Sequence, residues 1–192
     1  TNIARSSNFI GKSNWSADAI TQGDFGMVLL YSTTLSATQI TSLNTEVNRA
    51  ISTSTLTFGS SSDKAFSGVI NNASANINLV KQGSGTQTLS GVSSFVGSTT
   101  INAGALSVSA DANLGAAPSS ATANAINLNG GTLIVTDNVT WSSNRGVTLG
   151  GNSTLDIAAG KTLTIAGAIT DGASSYGLTK TSTGTLSLSG NN

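Results

Sequence analysis

Ala125-Ile126-Asn127-Leu128-Asn129-Gly130-Gly131-Thr132-Leu133-Ile134-Val135 decides the fold. Ile126, Leu128, Leu133 and Val135 recur at a period of two on either side of an Asn-Gly-Gly break, the mark of two short strands with one buried face each. Gly and Asn tolerate the positive φ of a sharp corner. Working outward, the same grammar returns upstream at Ser54–Phe58, Asn76–Val80, Thr99–Ile101 and Ala105–Val108. Downstream it returns at Gly146–Leu149, Thr154–Ile157 and Thr162–Ile165, with breaks at Asn71-Asn72, Asn102-Ala103-Gly104 and Gly150-Gly151-Asn152.

The short strands belong to a longer repeat. Shifting the chain by 99 residues lays Ser54–Gly91 on Ser153–Gly190 without a gap: Ser54-Thr55-Leu56 meets Ser153-Thr154-Leu155, and Leu79 and Lys81 meet Leu178 and Lys180. Gly85-Thr86 then meets Gly184-Thr185, and Leu89-Ser90-Gly91 meets Leu188-Ser189-Gly190. A repeat of this kind is expected where each unit buries its apolar face on the next.

An antiparallel sandwich and a solenoid both accommodate many short strands, and Asn129-Gly130 is also a hairpin signal. Short strands throughout, the internal repeat and an aromatic content of 5% favour the solenoid. The expected class is mainly β, a right-handed parallel β-helix over 53–192, since parallel crossovers are right-handed by default. Ser, Thr and Asn are expected as ladders on its outer faces. Its register has no natural stop at Asn192 and is expected to continue beyond it.

Composition agrees. Charged residues make up only 8% of the 192, hydrophobic ones 38%, with 22 Gly, one Pro, no Cys and no His. Eight basic and eight acidic residues cancel and form no run, so the clustered cations that nucleic-acid binding requires are missing. No apolar run approaches the roughly 20 residues of a membrane span. Disulfides, thiolate sites and the commonest general base are excluded with Cys and His.

The first 52 residues break the pattern. Residues 23–31 read as one strongly apolar strand, and 36–51 as a helix: Ser36 with Gln39 has capping-box spacing, and Ile40, Leu43, Val47 and Ile51 form an apolar stripe. The segment reads as a strand-plus-helix unit ahead of the solenoid.

From about Ser54 onward the chain resembles the autotransporter-associated β-strand repeat family of bacterial surface and secreted proteins. Leu79–Gly91, Ser94–Leu106, Ala112–Ala116, Leu128–Leu133, Arg145–Gly150 and the final stretch from Leu178 carry the likeness, in family order. Phe95 and Gln87 depart mildly from the family's usual Tyr and Leu. The resemblance implies a passenger-type β-helix outside the cell. A second resemblance, through Phe9–Lys12, Gly23–Tyr31 and Leu35–Ile40, is to the closing strands and last helix of a concanavalin A-like or laminin G-like jelly roll, a class that often binds glycans. Residues 1–52 then end such a domain, or alternatively cap the first coil.

Candidate chemistry is sparse. Asp18 with Asp24 is half a calcium site at best, without a calcium-repeat pattern around it. Asp156 and Asp171 are the one candidate acid/base pair for a polysaccharide-degrading β-helix, with isolated surface carboxylates the commoner explanation. Lys81 and Lys180 recur at equivalent positions and read as coil-edge lysines that snorkel to water and discourage edge pairing. Trp15 and Trp141 are candidate sugar-stacking platforms, Trp141 more readily a core residue. Gly83-Ser84-Gly85 lacks the strand-to-helix context of a phosphate loop and is a turn.

No catalytic, metal or cofactor residue is therefore expected, and no ligand-binding residue is assigned. The expected function is a structural and display segment of a surface or secreted repeat protein, its possible partners being glycans, other surface proteins or further copies through the coil ends. Two alternatives remain: a glycan-binding adhesin acting through a lectin-like domain upstream, and the polysaccharide-degrading enzyme.

Overall fold

A computed structural model describes residues 53–71, 76–171 and 174–191. The strand at 23–31, the helix at 36–51 and the residues Asp18, Asp24 and Trp15 lie outside them. The chain divides into units 1–52 and 53–192, and the second is described below.

Residues 53–192 wind into six coils. The first carries β1 (Thr53–Phe58) and β2 (Lys64–Phe66), and the second β3 (Asn76–Lys81) and β4 (Thr86–Leu89). The third carries β5 (Thr99–Ile101) and β6 (Ala105–Val108), followed by a 3-10 turn at Asp111–Leu114. From the fourth coil onward there are three strands per coil: β7 (Thr122–Asn129), β8 (Thr132–Val135) and β9 (Val139–Trp141), then β10 (Arg145–Gly151), β11 (Ser153–Ile157) and β12 (Thr162–Ile165). The sixth coil has β13 (Ile169–Thr170), β14 (Leu178–Thr181) and β15 (Thr185–Leu188).

Every strand pairing among the described residues is parallel and runs from one coil to the next. The strands align as β1-β3-β5-β7-β10-β13 in a first sheet, β2-β4-β6-β8-β11-β14 in a second and β9-β12-β15 in a third. The Asn129-Gly130 break is a corner between two sheets, so the hairpin reading is excluded. A parallel partner cannot be reached through a two-residue turn, whereas a corner hands the chain to a different sheet.

Register converts the period-two pattern into columns. In the second sheet Leu106, Leu133 and Leu155 lie opposite one another, all completely buried. In the third, Val139 faces Leu163 and Trp141 faces Ile165. Complete burial of such side chains stabilises by about 1.5–3 kcal/mol each, which lets a chain with few aromatics hold a narrow core. The intervening polar residues form the expected outer ladders: Asn129 Nδ2 donates to Asn102 Oδ1 at 2.9 Å, and Asn127 Nδ2 to Thr100 Oγ1 at 3.3 Å.

One column measures the coils. In the first sheet Leu56, Leu79, Thr99, Ile126, Val147 and Ile169 lie in line, giving coils of 23, 20, 27, 21 and 22 residues. The long third coil accommodates the 3-10 turn and the loop 115–121.

The 99-residue repeat does not contain a whole number of coils. β3 lies in the first sheet, yet its repeat counterpart β14 lies in the second; β4 lies in the second and its counterpart β15 in the third. Successive copies are therefore displaced by four coils and one face. Equivalent residues do not share a sheet, and each copy is rotated by one face relative to the one before.

Candidate functional site

The polar side chains buried inside the coil are the distinctive chemistry of the described residues. Lys81 closes β3 in an inward column, between Phe58 of the first coil and Ile101 of the third. It is 0% exposed. Its Nζ donates to the carbonyls of Gln82 at 2.7 Å, Gly83 at 2.9 Å and Ala103 at 3.2 Å. An ammonium has three donors and no acceptor, so this corner satisfies it completely. Burial lowers its pKa.

The snorkelling expectation for Lys81 is thereby corrected. The side chain turns inward because a tight corner gathers carbonyl oxygens that would otherwise be buried without donors. Two glycines make the room. Gly83 takes φ 71°, and a Cβ on it would lie 2.7 Å from the Ser60 carbonyl oxygen. Gly104 takes φ 61°, and a Cβ there would lie 2.9 Å from Lys81 Nζ.

Lys180 repeats half of this arrangement. It sits on β14 above Leu155, exposed, and its Nζ donates to the carbonyls of Thr181 at 3.3 Å and Ser182 at 2.8 Å. Ser182 occupies the repeat position of Gly83 and holds φ 56° without being glycine.

A second buried cation ties down the irregular third coil. Arg145, 1% exposed, donates through Nη1 to the Leu114 carbonyl at 3.1 Å and through Nη2 to the Gly115 carbonyl at 2.9 Å. Its Nε lies 2.8 Å from Asp111 Oδ1. Burial raises the Asp111 pKa against the pull of Arg145, and lowers that of Arg145 against the pull of Asp111. Asn144 Nδ2 donates to the Pro118 carbonyl at 3.0 Å, so adjacent residues hold the start and the middle of the loop. Asn113 Oδ1 accepts from the backbone of Ser109 and Ala110, each at 2.9 Å, while its Nδ2 donates to the Gly91 carbonyl one coil earlier at 3.0 Å.

The remaining candidates are not assembled into a site. Asp156 points from the second sheet, opposite Ile134 and Thr181. Asp171 follows β13 in the first sheet and is exposed. Trp141 is 0% exposed, which makes it a core residue and withdraws its face from any sugar. Gly83-Ser84-Gly85 is a corner between β3 and β4. An apolar cavity of about 380 Å³ opens at the first coil against Leu56, Phe58, Phe66 and Ile70, and no titratable group lines it. No group of three or more His, Cys, Asp or Glu able to hold a metal occurs among the described residues. No helix among them is long and apolar enough to cross a membrane.

The sequence reading gave no role to Asp111, Asn113 or Arg145. The available signal was the family stretches Ala112–Ala116 and Arg145–Gly150, whose polar members stand among apolar and small residues.

Parallel coils stacked in register and inward columns that are largely apolar define a parallel β-solenoid. The passenger-associated-transport-repeat family matches residues 79–108 and 178–192, the two stretches that open just before Lys81 and Lys180. The chain is also similar to the adhesin BmaC autotransporter of Brucella suis biovar 1 (strain 1330), with 42% identity over 144 residues. That match covers 70% of this chain and 4% of the relative, so the chain spans a small part of that protein's length. No solved structure matches it.

Proposed function

We propose that this chain is a rigid stalk segment of a bacterial autotransporter-type adhesin, a right-handed coil displayed outside the cell that holds binding modules away from the surface. The observation that carries the reading is the uninterrupted inner column Leu106–Leu133–Leu155, completely buried through three successive coils. Stacked parallel coils share backbone hydrogen bonds along the axis, and a structure built from nearest-neighbour contacts extends by simple addition. The repeat match and the adhesin relative support a passenger role. Contacts with glycans or other surface proteins then belong to modules elsewhere in the polypeptide.

Replacement in the full-length protein tests this. Residues 53–192 are exchanged for an unrelated parallel β-solenoid of equal axial length, and adhesion of the expressing cells is measured beside a simple deletion. A stalk predicts that deletion lowers adhesion and the exchange restores it. Failure of the exchange, with surface expression unchanged, would show that this segment contributes a binding surface of its own.

A further inference from the structure

We infer that Asn129-Gly130 is a latent self-modification site, a succinimide-forming pair whose reaction the fifth coil holds off and whose product records that this coil has opened. It is the chain's one Asn-Gly pair. Glycine brings no side chain to hinder closure of the five-membered ring, so an Asn-Gly bond in an open chain is chemically short-lived. The corner nevertheless requires it: Gly130 takes φ 106°, which residues with a side chain rarely adopt. Both residues are exposed, so water reaches them.

Neighbouring coils engage each part that the reaction needs. The Gly130 N–H, which carries the nucleophile's proton, donates to Ser153 Oγ of the fifth coil at 3.0 Å. That hydroxyl is fixed in turn, because buried Ser153 donates to the Gly151 carbonyl at 2.9 Å. The Asn129 amide, which carries the electrophilic carbon, is held from the other side through its Nδ2 bond to Asn102 Oδ1 of the third coil at 2.9 Å. Asn129 also closes β7 in register with Gly151, so its main chain is not free to rotate into the ring. The glycines of the fifth coil lie directly against both reacting groups. A Cβ on Gly150 would lie 2.7 Å from Asn129 Oδ1, and one on Gly151 3.0 Å from the Gly130 nitrogen.

Separation of the fifth coil releases these restraints. The Gly130 nitrogen gives its proton to hydroxide and attacks Asn129 Cγ. The new C–N bond closes the succinimide, the Cγ–Nδ2 bond breaks, and ammonia leaves with a proton taken from water. Water then opens the ring to aspartate or isoaspartate. Either product replaces a donating amide by a carboxylate that only accepts, which ends the bond to Asn102 Oδ1. Isoaspartate also adds an atom to the main chain at the corner, so the register of Asn129 with Gly151 is not restored when the coil closes.

Ageing of the chain 1–192 at mildly alkaline pH in isotopically labelled water tests this, with conversion at Asn129 read by peptide mass spectrometry. Asn129 should convert at least about tenfold more slowly in the native protein than in the same chain in urea, because the coil must open first. Ser153→Ala should speed native conversion about fivefold, the equivalent of one lost hydrogen bond, with the β circular-dichroism spectrum unchanged. Asn102→Ala, on the outer ladder, should act in the same direction and decides the matter where Ser153→Ala does not fold. Equal rates in the native protein and in urea would overturn the inference. So would a folded variant of either kind that ages no faster than the parent.

Discussion

Lys81 Nζ and the Ala103 carbonyl oxygen, 3.2 Å apart and 22 residues apart in sequence, join the second coil to the third from inside the core. A buried charge is tolerated there because three carbonyls meet it. Lys81→Met keeps the apolar stem and leaves those carbonyls without their donor. Hydrogen bonds to a charged group contribute about 1.5–3 kcal/mol each, offset by the desolvation of the ammonium, so a net loss of about 2 kcal/mol is expected in chemical denaturation. Lys180→Met in the same chain should change stability by under about 0.5 kcal/mol, as for an exposed site. Equal losses at both lysines would contradict this account of the corner.

Thr99 interrupts an apolar column between Leu79 and Ile126. It is 1% exposed and its Oγ1 has no hydrogen-bond partner among the described residues. Thr99→Val removes a buried, unpaired hydroxyl at nearly constant volume and should raise stability by about 1 kcal/mol. The opposite change, Leu155→Asp, places an unpaired carboxylate in a completely buried column and should lower it by more than about 3 kcal/mol. An unchanged melting temperature for Leu155→Asp would count heavily against the column assignment.

Ser182 and Gly83 share a left-handed corner but differ in what a side chain costs. Ser182→Gly should stabilise by about 1 kcal/mol through relief of backbone strain, less the greater freedom glycine gives the unfolded chain. Gly83→Ala should destabilise more strongly, since its Cβ would meet the Ser60 carbonyl oxygen at 2.7 Å. The two variants should shift the melting temperature in opposite directions.

Acid dependence should show two carboxylates working against each other. Burial raises the folded pKa of Asp111, so the folded protein takes up that proton before the unfolded chain does. Stability therefore rises as pH falls through the folded pKa toward the ordinary value of about 3.9. Asp137 behaves oppositely. Its pKa is lowered, first by the hydrogen bond from Lys161, at 2.7 Å. Its contribution is full above the ordinary value and lost as pH falls through the lower folded one. A shallow stability maximum near the ordinary carboxylate range is expected by calorimetry, with Asp111→Asn removing the rise and Asp137→Asn reducing the fall. A parent that weakens steadily from pH 7 to 3 would exclude the Asp111 assignment.

Much of the coil was legible because alternation is a local property. Thr99–Ile101, Ala105–Val108, Thr132–Val135 and Thr162–Ile165 are strands with the bounds that the pattern indicates. β13, only two residues long, carries too little alternation to register, and Lys64–Phe66 was missed because a lysine opens it. The corners were legible as glycine and asparagine breaks, since positive φ leaves a compositional trace. Their polar contents were not. The partners of Lys81, Asn113 and Arg145 are backbone carbonyls, which every residue carries and no sequence pattern marks.

The sequence by itself determined which apolar side chains face inward, where the chain turns, and that two copies of one motif lie 99 residues apart. Tertiary structure decided what those features meant. The lengths of the intervening coils, among them a third coil of 27 residues, set the face on which each copy falls, so the repeat advances by one face. The same stacking decided that Lys81 is buried and Lys180 exposed, because the third carbonyl comes from a neighbouring coil. The shared repeat position of the two lysines carries no record of the carbonyls that a neighbouring coil brings.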